Sequence, residues 1–281
     1  MFKAFDAGSI GIKADWPEQL RLASAHGFDG LTVSMPAIVE MGAAKAADDL
    51  AAAELKPASW GLTVNYRKDE ETFASGLKDL GRHAAAAAEI GCSRCCTWVL
   101  SFSDELAFED NTKLHVDRLG ACARVLADAG VALGLEFLGP KTIRAKHAHE
   151  FVHTIDGMLE LCARIGTGNA GLLLDAWHWY TSGDTVERLK RLKPEDVVHV
   201  HVNDAPAGVP LDEHVDNKRA MPGETGVIDI AGFLGALSSI GYDGPVQAEP
   251  FSQRVKELSP DEAAAETAAS LSKIWGLAGL A

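Results

Sequence analysis

Gly171-Leu-Leu-Leu-Asp175-Ala-Trp-His178-Trp-Tyr180 is the stretch on which the fold turns. Four small or apolar residues give way abruptly to Asp175 and His178, the profile of a parallel strand that leaves the core at its carboxyl end. The same profile recurs three times. Val131 to Glu136 ends in a carboxylate, Val197 to Asp204 carries His201 and Asp204, and Pro245 to Glu249 ends in another carboxylate. Two glutamates, one aspartate and one histidine on four strand ends make an oxygen and nitrogen ligand set for a divalent cation.

Outward from these segments the chain repeats one unit, strand then helix. An opening strand around Lys3 to Asp6 precedes a helix started by Pro17 and closed near Gly27. Gly30 to Ser34 is a second strand, and the alanine-rich run from about Ala37 to Leu55 is its helix. Lys56 to Asn65 and Arg94 to Leu100 are further strands. Their helices, about Glu70 to Ile90 and Asn111 to Ala129, end at Gly91 and Gly130. Beyond Glu136 the helices fall near Val152 to Ile165, Thr185 to Leu192, after Asp229 as a cap, and Pro260 to Leu277. Eight such units predict an α/β fold, a (β/α)8 TIM barrel forming a single domain over residues 1–281, whose site lies at the carboxyl ends of the strands. Two long polar connections, Gly139 to His149 and Ala205 to Val227, lie on that side, where long loops serve sites.

Composition agrees with one well-filled globular domain: 281 residues, 47% hydrophobic and 23% charged. A net charge of −14 and a pI near 5.1 argue against nucleic-acid or anionic-membrane partners, which need a positive field. Five cysteines, an odd number in a chain this long, do not form a disulfide framework. The start, Met1-Phe-Lys-Ala-Phe-Asp6, lacks the apolar run of a signal peptide, and a reducing cytoplasm is the expected address. No apolar run approaches the roughly 18 residues of a membrane span.

Gly134-Leu-Glu136-Phe, Leu174-Asp175-Ala-Trp-His178, His201-Val-Asn-Asp204, Arg219-Ala-Met-Pro222-Gly223-Glu-Thr-Gly226 and Glu249-Pro-Phe carry a resemblance over nearly the whole chain. The chain resembles the xylose isomerase-like sugar phosphate isomerase/epimerase superfamily of metal-dependent barrels, with inosose isomerases and ketose 3-epimerases nearest in size and motif. The resemblance implies that Glu136, Asp175, His201 and Glu249 bind one divalent ion. Manganese leads, with magnesium, cobalt or zinc as alternatives. It also implies that His178 and Arg219 line the substrate's oxygens, and that Glu136 and Glu249 serve as the acid/base pair. The partner is then a small sugar or cyclitol, and pairing of two barrels through mouth-side loops is a further expectation.

Elementary chemistry fits those roles. Moving a carbonyl or inverting a hydroxyl-bearing carbon requires removal of a proton beside a carbonyl and stabilisation of the resulting enediolate. A metal-dependent lyase (dehydratase) or hydrolase is the alternative, because elimination of water can follow the same proton abstraction. A sugar-binding barrel without catalysis is the non-enzymatic one.

Other residues divide between functional and structural readings. His178 either contacts substrate or orients a ligand. His199 reads as a hydrogen-bonded core histidine, and Asp204 as a residue that orients His201 or turns the chain, with direct ligation of the ion as its alternative. Lys141, Arg144, Lys146, His147 and His149 make either a phosphate pocket or a solvated face, the second being the commoner fate of scattered charges. Trp60, Trp98, Phe102, Phe137, Trp177, Trp179 and Tyr180 gather near the expected mouth; Trp60 and Trp98 are the candidates for a sugar-facing wall. Cys92, Cys95 and Cys96 read as buried thiols, no second cysteine pair being present for zinc.

Overall fold

A computed structural model describes residues 1–280. Eight parallel strands close into a barrel: β1 Phe2–Phe5, β2 Gly30–Val33, β3 Lys56–Gly61, β4 Arg94–Val99, β5 Ala132–Phe137, β6 Ala170–Asp175, β7 Val197–Val202 and β8 Pro245–Ala248. Each strand pairs with its sequence neighbour, and β1 closes on β8 through Phe2 opposite Pro245. Helices surround the sheet and start where short polar side chains cap them. Asp15, Asp69, Thr154 and Asp229 each accept a first-turn N–H, and Ser259 with Glu262 forms a capping box. Gly91 and Gly130, at φ 73° and 69°, terminate the two longest helices as the sequence implied.

Inside the barrel, Cys96, Leu173 and Val198 pack as a layer beneath the mouth. Gly134 belongs to that layer because a Cβ there would sit 3.0 Å from Cys96 Sγ and 3.2 Å from Val198 Cβ. A larger residue would push apart the floor on which Glu136, two positions on, stands.

Several boundaries differ from the sequence reading. The expected helix from Ala37 to Leu55 is two, Met35–Met41 and Ala43–Ala52, broken at Gly42 with φ 92°. The third strand stops at Gly61 rather than Asn65. Arg118 donates to the carbonyls of Tyr66 and Lys68, which ties the following segment to the outer helix Phe108–Asp128. The polar connection after β5 is also ordered: Lys141–Arg144 is a helical turn, and His149–Glu150 pairs antiparallel with Phe102–Ser103. Among the described residues no helix is long and apolar enough to cross a membrane.

Candidate active site

Glu136 lies near the end of β5, Asp175 ends β6, His201 lies near the end of β7, and Glu249 directly follows β8. One ligand atom from each falls within 4.8 Å of the others. His201 Nδ1 stands 3.5 Å from Glu136 Oε1, 3.5 Å from Glu249 Oε2 and 3.8 Å from Asp175 Oδ2. Burial makes this arrangement expensive unless something compensates it. Glu136 Oε1 and His201 Nδ1 are both buried without a hydrogen-bond partner. Three carboxylates and one imidazole converging on orphaned atoms fit a divalent cation, and the oxygen-rich set suits manganese, magnesium or cobalt.

Without an ion the cluster retains protons. Burial, then the charges of Glu249 and Asp175, push the Glu136 carboxyl up to about 8, against the pull of His201. Burial would lower His201, but Glu249 and Glu136 outweigh it and hold the imidazolium well above its ordinary range. Asp175 goes the other way: burial is overcome by Arg219, His178 and His201, so its carboxylate persists well below the usual range.

Arg219 comes from the long loop after β7 and reaches the centre of this group. Its Nη1 donates to Asp175 Oδ2 at 2.8 Å and to Glu249 Oε2 at 2.9 Å; Nη2 donates to Asp216 Oδ1 at 2.9 Å. The Phe251 ring lies 4.5 Å from the guanidinium carbon. On its free side Asp175 Oδ1 accepts from Trp177 N–H at 2.6 Å and Asn203 Nδ2 at 2.9 Å, which fixes the carboxylate's orientation. His178 is buried behind Arg219. Its Nδ1 accepts the Gly139 N–H at 3.2 Å, and its Nε2 lies 3.3 Å from Arg219 Nη2 and 3.7 Å from Asp216 Oδ1.

The loop that delivers Arg219 is held by Asp204. Its two oxygens accept four backbone N–H groups, from Ala205, Thr225, Gly226 and Ile228, at 2.7–2.9 Å. Of the two readings of Asp204, the chain-turning one therefore describes what it does.

A cavity of about 180 Å³ opens onto Glu136, His201 and Glu249, with Trp60 and Trp98 on its wall. Trp60 is buried, whereas Trp98 is 41% exposed and carries the Arg67 guanidinium 3.7 Å above its ring. A larger cleft, about 610 Å³, is bordered by Arg94, Ala132 and Val197 at the amino ends of the strands, away from every strand-end ligand.

The sequence profile of the xylose isomerase-like TIM barrel family matches residues 20–274. The chain belongs to this family. An inosose isomerase of Bacillus velezensis is 24% identical over 251 residues, which cover 87% of this chain and 86% of that one. A 3-dehydroshikimate dehydratase of Pseudomonas aeruginosa is 25% identical over 252 residues, 86% of this chain but 37% of that longer protein. A xylose isomerase domain protein from Alicyclobacillus acidocaldarius has the same fold, with a TM-score of 0.87, 27% identity, and coverage of 96% of this chain and 97% of that one.

Within this xylose isomerase-like barrel three of the basic residues after β5 are committed to partners in the protein. Lys141 pairs with Asp212, Arg144 with the Gly139 carbonyl and Glu150, and His147 with Asp104 while stacking on Phe102. Phe137, Trp177 and Trp179 are core residues, and all five cysteines are buried free thiols. Asp6, Thr32, Ser59 and Gln247, absent from the candidates read in the sequence, line the cavity with Trp60. Each stands at or near the carboxyl end of a barrel strand, which is the signal that could have found them.

Proposed function

We propose that this protein is a divalent-metal-dependent isomerase or epimerase of a small polyol carbonyl compound, a ketose or an inosose, acting through an enediolate. The observation that carries the reading is the convergence of Glu136, Asp175, His201 and Glu249, with the buried Glu136 Oε1 and His201 Nδ1 unpartnered, beside a sugar-sized cavity that three of the four line. These four residues would hold the ion. A divalent cation there supplies polarisation of the substrate carbonyl and stabilises negative charge that develops on its oxygen.

The chain's own groups do the remaining work. Glu136 and Glu249 project from β5 and from beyond β8, on either side of His201, so one carboxylate takes the proton beside the carbonyl and the other returns it. Return to the neighbouring carbon is isomerisation; return to the opposite face of the same carbon is epimerisation. Arg219, shared between Asp175 and Glu249 and held by Asp216, fixes the two carboxylates at the edge of the cavity. Trp60 and Trp98 offer apolar faces against which a polyol ring or chain lies. The free buried thiols suit a reducing cytoplasm.

A dehydratase is the second reading, favoured by the similarity to the 3-dehydroshikimate enzyme. The two separate when metal-loaded protein is incubated with a panel of ketoses, inososes and a hydroxylated cyclic enone precursor. Interconversion of polyols, lost in Glu136→Gln and on chelation, supports the proposal; release of water assigns the dehydratase, and no conversion by metal-bound protein overturns both.

A further inference from the structure

We propose that Asp6, with the hydrogen-bond chain behind it, is a specificity residue that reads hydroxyl groups. The site then takes uncharged polyols in preference to their carboxylated or phosphorylated counterparts. This inference rests on the cavity being the catalytic pocket and narrows its substrate class.

The polarity of that chain follows from its partners. Asp6 directly follows β1, and its oxygens accept from Gly8 N–H at 2.9 Å and from Gln247 Nε2 at 3.0 Å. Burial raises the Asp6 carboxyl, against the pull of the Gly8 N–H and of His201; both of its oxygens accept from the protein and each keeps a further lone pair. With its NH2 turned to Asp6, Gln247 presents its carbonyl to Thr32 Oγ1 at 2.6 Å and to His199 Nε2 at 3.3 Å. Thr32 has thereby used its one proton, so Ser59, at 3.2 Å, donates to Thr32. Every O–H and side-chain N–H donor used along this chain is turned toward another of its members. What it leaves for a ligand is mainly lone pairs, those of Asp6 and Ser59, beside one spare donor, the second N–H of Gln247. A hydroxyl donates to such a wall, whereas an ionised carboxylate or phosphate has no proton to give it.

Charge points the same way. The cavity is lined by Asp6, Glu136 and Glu249 and by no lysine or arginine, and its one cationic side chain, His201, already faces Glu136 and Glu249 at 3.5 Å. Arg219 is already claimed by Asp175, Asp216 and Glu249. At about 180 Å³ the space is also below the usual range of roughly 300–1,000 Å³ for ligand pockets, which suits a monosaccharide or cyclitol without an appended group. Arg67, stacked on Trp98 at the edge of an adjoining groove, is the cation an anionic substrate would have to use.

Titration calorimetry on metal-loaded protein tests this with an inosose, D-fructose, D-fructose 6-phosphate and a ketouronate. Wild-type protein is expected to bind the neutral compounds at least about tenfold more tightly than the anionic ones. Asp6→Asn is expected to weaken neutral binding by about ten- to a hundredfold, the scale of one hydrogen bond to a charged group, and to narrow the gap. Arg67→Ser is expected to change neither. Anionic compounds bound as tightly as neutral ones, no binding of any neutral polyol, or a folded Asp6→Asn with unchanged affinities would each overturn the inference. Should Asp6→Asn fail to fold, the wild-type comparison decides alone. Binding is read apart from turnover, so neutral polyols that bind without reacting would sink the isomerase reading and leave this one standing.

Discussion

Replacing Arg219 by methionine removes one guanidinium from among buried carboxylates and isolates how the site balances its charge. Nη1 bridges Asp175 Oδ2 and Glu249 Oε2, and Nη2 holds Asp216. Asp175 is fully buried, so it cannot turn to water when the guanidinium goes. Loss of one partner from a buried pair costs about 3–5 kcal/mol. His201 stays as a cation and Glu249 is partly exposed, which places the loss near the lower end, about 3 kcal/mol in metal-free protein. In a chain of this size that is a fall in melting temperature of about 6–12 °C. A bound divalent ion offsets the same carboxylates, so the loss shrinks when metal is saturating. Circular-dichroism melts of both proteins, in chelator and in manganese, check this. A metal-free variant melting within about 2 °C of wild type, or a variant that loses more with metal than without, would refute the charge argument.

Glu136→Gln should retain the fold and lower turnover by about 10²–10⁴, the usual contribution of a positioned proton-transfer group; steady-state kinetics alongside melting curves separates the two effects. In metal-free protein Glu136 is raised to about 8 and His201 is raised well above 6.5, so the folded state keeps protons that the unfolded chain has released. Stability must then fall as pH rises from 6.5 to 8, by about 1.4 kcal/mol per pH unit for each retained proton. The lowered histidines His178 and His199 act below that window. Metal binding displaces the same protons, so stabilisation by manganese grows over the same range, and urea titrations with and without the ion at several pH values read both slopes. Asp204→Ala strands the four backbone N–H groups it now satisfies. It should cost at least about 3 kcal/mol and open the 205–228 loop to proteolysis before global unfolding.

The barrel and the cluster of Glu136, Asp175, His201 and Glu249 were legible because parallel strands covered on both faces show as apolar runs, and a carboxylate or imidazole closing such a run stands out. Gly171 to Asp175 is the clearest case. Asp6, Thr32, Ser59 and Gln247 were not, since each is a single polar residue at or near the end of a short strand. The bond that gives them a common purpose joins positions 241 residues apart. The split at Gly42 escaped because alanine continues on both sides and helix propensity dominates the local pattern. The basic residues of the loop after β5 left two readings open, with the solvated face the commoner. Lys141, Arg144 and His147 pair with Asp212, Glu150 and Asp104, and only Glu150 of these is near in sequence.

Solvent-proton exchange tests the central claim most directly. Metal-loaded protein is incubated in heavy water with an inosose and with a ketose, and the carbon-bound hydrogen beside the carbonyl is followed by NMR. Deuterium is expected at that carbon or its neighbour, at a rate abolished by chelation and in Glu136→Gln. Turnover of either compound with no deuterium incorporated, or incorporation unchanged in Glu136→Gln, would contradict it.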